Sequence, residues 1–149
     1  MTETMTARAH TWRPIRRLRW LAVAVSSVSV VLSVVAHAGQ AATGDAQRGP
    51  KVFQQCYACH SRDPAESNLQ GPNLAGVVGR TAGTLATFPD YSEAMKAAGR
   101  GGLVWDVRTL DAFLEDPARM VPDTSMSFIG LRSKADRDDV IAYLQTAPR

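Results

Sequence analysis

The pentapeptide Cys56-Tyr57-Ala58-Cys59-His60 constrains this chain more than any other stretch, because it holds both cysteines and sets a histidine directly behind the second. That spacing is the signal for covalent attachment of a c-type haem. Two thiols must reach the two vinyl groups on one edge of a porphyrin while the neighbouring imidazole reaches the iron, and a helical turn brings all three groups together. Other uses of Cys-x-x-Cys fit less well. A redox pair belongs beside a βαβ pattern, which the flanking residues lack. A zinc site needs a second cluster of ligands, and the chain has only 2 cysteines. A disulfide across three residues is geometrically poor and leaves His60 without a role.

At 149 residues the chain supports one ordinary domain with length to spare. The spare length lies at the start. Arg8, Arg13, Arg16, Arg17 and Arg19 precede an uncharged run from Trp20 to Ala36, which closes on Ala36-His37-Ala38. A basic start, an apolar middle and an Ala-x-Ala end describe a secretory signal peptide. Residues 1–38 are therefore expected to be cleaved, after Ala38 or alternatively after Ala42, with residues 39–149 as the mature domain. The rival reading is a retained membrane anchor. The 17 residues from Trp20 to Ala36 sit at the lower limit of about 17–25 for a spanning helix.

Subtracting the leader changes the electrostatics. The full chain carries 17 basic and 14 acidic residues, a net +3, whereas residues 39–149 keep 12 and 13, a net −1. The basic character belongs to the leader, and nucleic-acid binding loses its support.

Beyond the leader the periodicity is helical. Ala46, Gly49, Val52 and Phe53 share a face between Asp45 and Cys56, with Pro50 tolerable only in the first turn. Residues 61–70 are polar, and Gly71-Pro72-Asn73-Leu74, Gly76, Gly79-Arg80 and Gly83 extend an irregular stretch suited to wrapping a large flat ligand. So long a loop needs something to order it. A short helix follows around Asp90–Lys96, capped by Ser92. A second runs from about Asp106 to Glu115, with Val107, Leu110, Phe113 and Leu114 as its stripe, and Pro117 stops it. Residues 120–128 read as irregular but ordered. Ser133 and Asp136 resemble a capping box opening a last helix to about Thr146. No strand and no repeat is evident, so the fold class is all-α.

A haem iron with His60 on one side has a position to fill on the other. His10 and His37 lie in the leader, so His60 is the only histidine of the mature chain. Methionine is then the best candidate, from Met95, Met120 or Met126. Met126 lies in a loop far along the chain from His60, which lets two halves of the domain close on the haem. It is the expected ligand.

From Gly44 onward the chain resembles the class I cytochromes c, in particular the mitochondrial-like bacterial branch of periplasmic carriers. The resemblance rests on Gly49, Phe53, Cys56 to His60, Gly71 to Leu74, Gly79-Arg80, Tyr91-Ser92, Trp105, Phe113 to Pro117, Pro122 to Met126, Phe128 and Ile141 to Leu144 in order. It implies a small cytochrome c fold, with N- and C-terminal helices crossing and the haem enclosed by helices and ordered loops. It also implies thioether bonds at Cys56 and Cys59 and iron ligation by His60 and Met126. The Pro72 carbonyl would accept from His60. Arg80, Tyr91 and Trp105 would lie near a propionate, Thr124 and Phe128 would line the Met126 side, and Gly49 and Phe53 would pack on Tyr143. Phe113, Met95, Asp123 and Ser125 stand where the family often has tyrosine, asparagine, glycine and lysine. Lys51, Lys96 and Lys134 are the only lysines.

The function this resemblance implies is single-electron transfer by one covalent haem c in a monomer, with no substrate turnover. The expected partners are membrane or periplasmic redox proteins: a quinol:cytochrome c reductase, a terminal oxidase, a photosynthetic reaction centre or a dehydrogenase. The expected location is the periplasm, with only transient membrane contact unless the leader stays as an anchor. The alternatives are a haem enzyme or gas-binding protein with a labile sixth ligand, and a haem subunit of a larger dehydrogenase or oxidase complex.

Overall fold

A computed structural model describes residues 43–148, so the expected leader and both cleavage points lie outside the described residues. Among these residues five helices form: α1 (Gly49–Phe53), α2 (Glu93–Arg100), α3 (Val107–Glu115), α4 (Pro117–Met120) and α5 (Lys134–Gln145). No strand is present among the described residues, only an isolated bridge between Thr81 and Val104. The all-α architecture expected from the sequence is present among these residues. No described helix is long and apolar enough to cross a membrane.

The crossing of α1 and α5 is the hinge of the architecture, and a glycine makes it possible. A Cβ at Gly49 would fall 2.2 Å from Tyr143 Cβ and 2.5 Å from the Asp139 carbonyl oxygen, so only a bare Cα fits between the two helices. Phe53, fully buried on the next turn, meets the Tyr143 ring edge-on at 5.7 Å. Pro50 sits in the first turn of α1, where a missing N–H costs no intrahelical bond. The Asp45 and Arg48 segment is clamped to α5 by one carboxylate: Asp139 accepts from the Asp45 backbone N–H at 2.7 Å and from two Arg48 nitrogens at 2.7 and 2.8 Å.

The remaining helices are set by local caps. Ser92 accepts from the Met95 N–H at the start of α2. Asp106 and Thr109 form a reciprocal capping box on α3, with the Asp106 carboxylate accepting from the Thr109 N–H at 2.7 Å. Val140, Ile141 and Leu144 of α5 bury against Leu110, Phe113 and Leu114 of α3 in one core. Buried Arg137 ties the two helices further, donating to Asp111 at 2.7 Å and to the Leu131 carbonyl at 2.7 Å.

Pro117 stops α3 as expected, whereas Met120, read as irregular, ends a further helical turn, and α2 starts and ends later than the expected Asp90–Lys96. Pro117 ends α3 and also begins a helix, α4. Asp116 is both the C-terminal cap of α3 and the N-cap of α4, where its side chain accepts from the Arg119 N–H at 3.0 Å. Proline at the first helical position has no N–H to waste.

Between Ser61 and Ser92 no regular element forms, yet the chain is tightly ordered around buried Asn73. The Asn73 amide donates to the carbonyls of Asp63 and Glu66 at 2.7 and 3.0 Å, and its oxygen accepts from the Ala75 N–H at 2.7 Å. The middle of this loop is stitched to Trp105. Gly79 N–H donates to the Trp105 carbonyl at 2.8 Å, and Trp105 N–H donates to the Arg80 carbonyl at 2.9 Å.

Candidate functional site

Helices α1, α2, α3 and α5 and the loops between them enclose a largely apolar cavity of about 300 Å³, within the usual range for small-molecule sites. All ten residues singled out from the sequence line it: Cys56, Cys59, His60, Pro72, Arg80, Tyr91, Trp105, Thr124, Met126 and Phe128.

The attachment motif enters the cavity as a run of turns continuing α1. Cys56 N–H donates to the Phe53 carbonyl at 2.8 Å, Cys59 N–H to the Cys56 carbonyl at 3.0 Å, and His60 N–H to the same carbonyl at 2.9 Å. This helical turn gathers both thiols and the imidazole on one side. Neither cysteine forms a disulfide, and both are half-buried. Burial, with the Cys59 thiol adjacent, pushes the Cys56 thiol up to about 11. A thiol–disulfide redox cysteine needs the opposite shift.

His60 is held in a defined tautomer. Its Nδ1 lies 2.7 Å from the Pro72 carbonyl oxygen. A carbonyl can only accept, so Nδ1 carries the proton and the Nε2 lone pair is free for a metal. Burial lowers the imidazole pKa, and the Pro72 contact opposes this only partly, so the neutral form that ligation requires is favoured. Gly71 gives the ring its room, since a Cβ there would stand 2.3 Å from His60 Cε1.

The three methionines separate. Met126 and Met95 line the cavity, whereas Met120 packs against the core outside it. Met95 is buried on α2, and Met126 is half-buried in the loop after α4. That loop turns at Asp123, whose φ of 63° places it in the left-handed region, and the next N–H, of Thr124, donates to the Val121 carbonyl at 3.1 Å. A left-handed residue explains why glycine is frequent at this place in the resembled family, and aspartate is among the few side chains that tolerate it.

Polar groups in the wall are few. Arg80 is half-buried, donates to the Asn73 carbonyl at 3.0 Å, and has no carboxylate within ion-pairing distance among the described residues. Burial lowers its pKa and raises that of Tyr91. Trp105 is buried, with its ring 4.9 Å from that of Phe113. Phe88, in the wall and 4.9 Å from Tyr91, escaped sequence reasoning, because a lone phenylalanine in a loop before proline carries no periodic signal. Gly71 read as a turn former, and its contact with His60 was equally hidden.

These residues fit a covalent haem. Two thiols outside any disulfide and an oriented imidazole lie on the attachment side, a thioether lies in the wall, and a cation without a carboxylate partner suits an anionic propionate. Among the described residues no group of three or more His, Cys, Asp or Glu could hold a metal by itself.

Fold and cavity together define a small all-α protein that binds one haem covalently. The chain belongs to the cytochrome c family, whose profile matches residues 46–148. It is 47% identical over 98 residues to cytochrome c2 of Afifella marina, covering 66% of this chain and 78% of that protein. It is 43% identical over 123 residues to cytochrome c2 of Rhodomicrobium vannielii, covering 83% and 95%. Among solved structures, cytochrome c2 from Rhodospirillum centenum superposes with a TM-score of 0.66 at 37% identity, over 71% of this chain and all of that one. Cytochrome cH from Methylobacterium extorquens gives 0.63 at 45% identity, over 69% and 99%. The chain is thus a class I cytochrome c: it carries covalent haem c and transfers electrons.

Proposed function

We propose that the mature domain, residues 39–149, is a periplasmic single-electron shuttle, released by cleavage of the leader 1–38. Cys56 and Cys59 anchor the haem, and His60 and Met126 ligate its iron. The observation carrying this reading is that both thiols, an imidazole with its Nε2 free and the Met126 side chain line one apolar cavity.

When bound, the haem supplies a one-electron couple. The chain's own residues do the rest. Pro72 and Gly71 fix the imidazole in orientation and tautomer. Trp105, Phe113, Leu110 and Met95 keep water from the iron's surroundings, and a dry shell is one lever on redox potential. Arg80 and Tyr91 hold the polar edge. With His60 and Met126 both holding the iron, no position would be left for a substrate, and no turnover would be expected. Its partners are redox proteins that dock briefly, in the manner of a quinol:cytochrome c reductase on one side and an oxidase, reaction centre or dehydrogenase on the other.

The test is the visible spectrum of the ferric holoprotein. Methionine ligation gives a weak charge-transfer band at the red end, which should be present in the wild type and vanish in Met126→Ala while Met95→Leu keeps it. The band's absence from the wild type would sink the ligand assignment. An intact mass that still includes residues 1–38 would sink the cleaved leader.

A further inference from the structure

The loop that brings Met126 to the cavity is held at its two ends. Among the described residues, 125–130 make no backbone-to-backbone hydrogen bond, and the Met126 N–H reaches only the Thr124 hydroxyl, at 3.4 Å. The near end turns at Asp123. The far end is pressed onto α3, because Gly130, with a φ of 93°, lies so close that a Cβ there would stand 2.1 Å from the Glu115 carbonyl oxygen. The next residue, buried Leu131, donates its N–H to the Leu114 carbonyl at 2.7 Å.

The other half of this far anchor is one guanidinium. Arg137 of α5, only 5% exposed, donates through Nη1 to the carbonyls of Leu131 and Arg132 at 2.7 and 3.2 Å. Its Nε donates to the Asp111 carboxylate at 2.7 Å, and its Nη2 lies 3.6 Å from the Glu115 carboxylate. A buried cation is costly unless its donors are matched, and here they are matched by α3 and by the loop. The partners differ in what they keep if the guanidinium goes. Asp111 has a second cation in Lys134, at 3.8 Å, whereas the Leu131 and Arg132 carbonyls have no other donor among the described residues.

We propose that Arg137 is a positioning residue for Met126: by holding the Leu131 carbonyl it fixes the loop end five residues beyond the thioether, and so keeps that thioether at the cavity wall. The inference rests on reading Met126 as the iron ligand. A loop without backbone bonds of its own takes its place from its ends, so an end that yields lets the side chain between them withdraw by local opening. A hydrogen bond from a charged donor to a buried carbonyl is of the stronger kind, and no neighbouring donor replaces it.

Binding of added imidazole to the ferric holoprotein tests this, because imidazole reaches the iron only when Met126 leaves it. Arg137→Met keeps an apolar stem and removes the donors. Its imidazole affinity should rise about tenfold, the worth of one hydrogen bond from a charged group. Its Leu131 N–H should exchange with deuterium faster by a similar factor. Arg137→Lys keeps the charge but cannot serve Asp111 and Leu131 together, and should fall between Arg137→Met and wild type; it carries the test alone if Arg137→Met does not fold. Asp139→Asn, which loosens the clamp on Asp45 and Arg48, should lower stability yet leave imidazole affinity within about twofold of wild type. Wild-type affinity in the Arg137 variants, or an equal gain in Asp139→Asn, would overturn the proposal, the second outcome making general stability the cause. A wild-type ferric spectrum without the methionine band would instead remove the ligand assignment on which it rests.

Discussion

Gly71 stands so close to the imidazole of His60 that a methyl group has no place between them: its Cβ would lie 2.3 Å from Cε1 and 2.8 Å from Nδ1. The same short segment provides the carbonyl of Pro72 that accepts from Nδ1. Orientation of the ligand and clearance for it therefore come from consecutive residues.

Gly71→Ala should accordingly push the ring off its Pro72 contact. The expected result is a holoprotein destabilised by about 1–3 kcal/mol, the usual cost of overpacking, with a perturbed ferric spectrum. Guanidinium unfolding together with visible absorption checks both, and an unchanged spectrum at unchanged stability would refute the steric account.

Gly49→Ala meets atoms less able to give, Tyr143 Cβ and the Asp139 carbonyl. Separating α1 from α5 should again cost about 1–3 kcal/mol or more. Here the ligand spectrum should be preserved, because Gly49 does not line the cavity. Stability loss without spectral change separates this variant from Gly71→Ala.

Asp139 sets a pH dependence. Hydrogen bonds from Arg48 and from the Asp45 N–H hold its carboxyl below the ordinary aspartate range. A depressed native pKa means that the folded state favours the ionised form. That contribution is fully present above about pH 4 and is lost as pH falls through the lowered native value. Asp139→Asn should be less stable than wild type at neutral pH, and the two should converge in acid. Urea midpoints measured from neutrality downward give the comparison, and a constant gap down to low pH would contradict it.

Asp106→Ala removes half of the capping box on α3 and should cost about 1 kcal/mol. Thr109→Ala should cost a similar amount, and the double variant less than the sum, because each half of the box needs the other. Thermal unfolding of the four proteins closes the cycle.

Much of this could be read before any coordinates. The Cys56 to His60 spacing is local chemistry, and the stripes of α3 and α5 are local periodicity, so both survive in the sequence alone. Ser92 and Ser133 announced their helices because capping acts over three residues. What stayed hidden depends on distant atoms. Pro117 reads as a helix stop unless Asp116 is known to cap a new turn. Asn73 looks like one more turn former, and only the folded chain shows its amide gathering the carbonyls of Asp63 and Glu66. The packing of Gly71 on His60, and the place of Phe88 in the wall, follow from how an irregular loop closes on itself, which no periodicity encodes.

The clamp of Asp139 on Asp45 and Arg48 also bears on when the domain can be assembled. α1 has five residues, far below the dozen or so that a helix needs to stand alone in water. The turns bearing Cys56, Cys59 and His60 continue directly from it. Their shape therefore depends on packing against α5, which follows them in the chain. Without α5 the thiols should sit on looser chain and be easier to reach. Thiol labelling of the apo chain should be slow at full length and fast when residues 134–149 are missing. Closure by a helix distant in sequence would then leave the thiols reachable while the haem is attached.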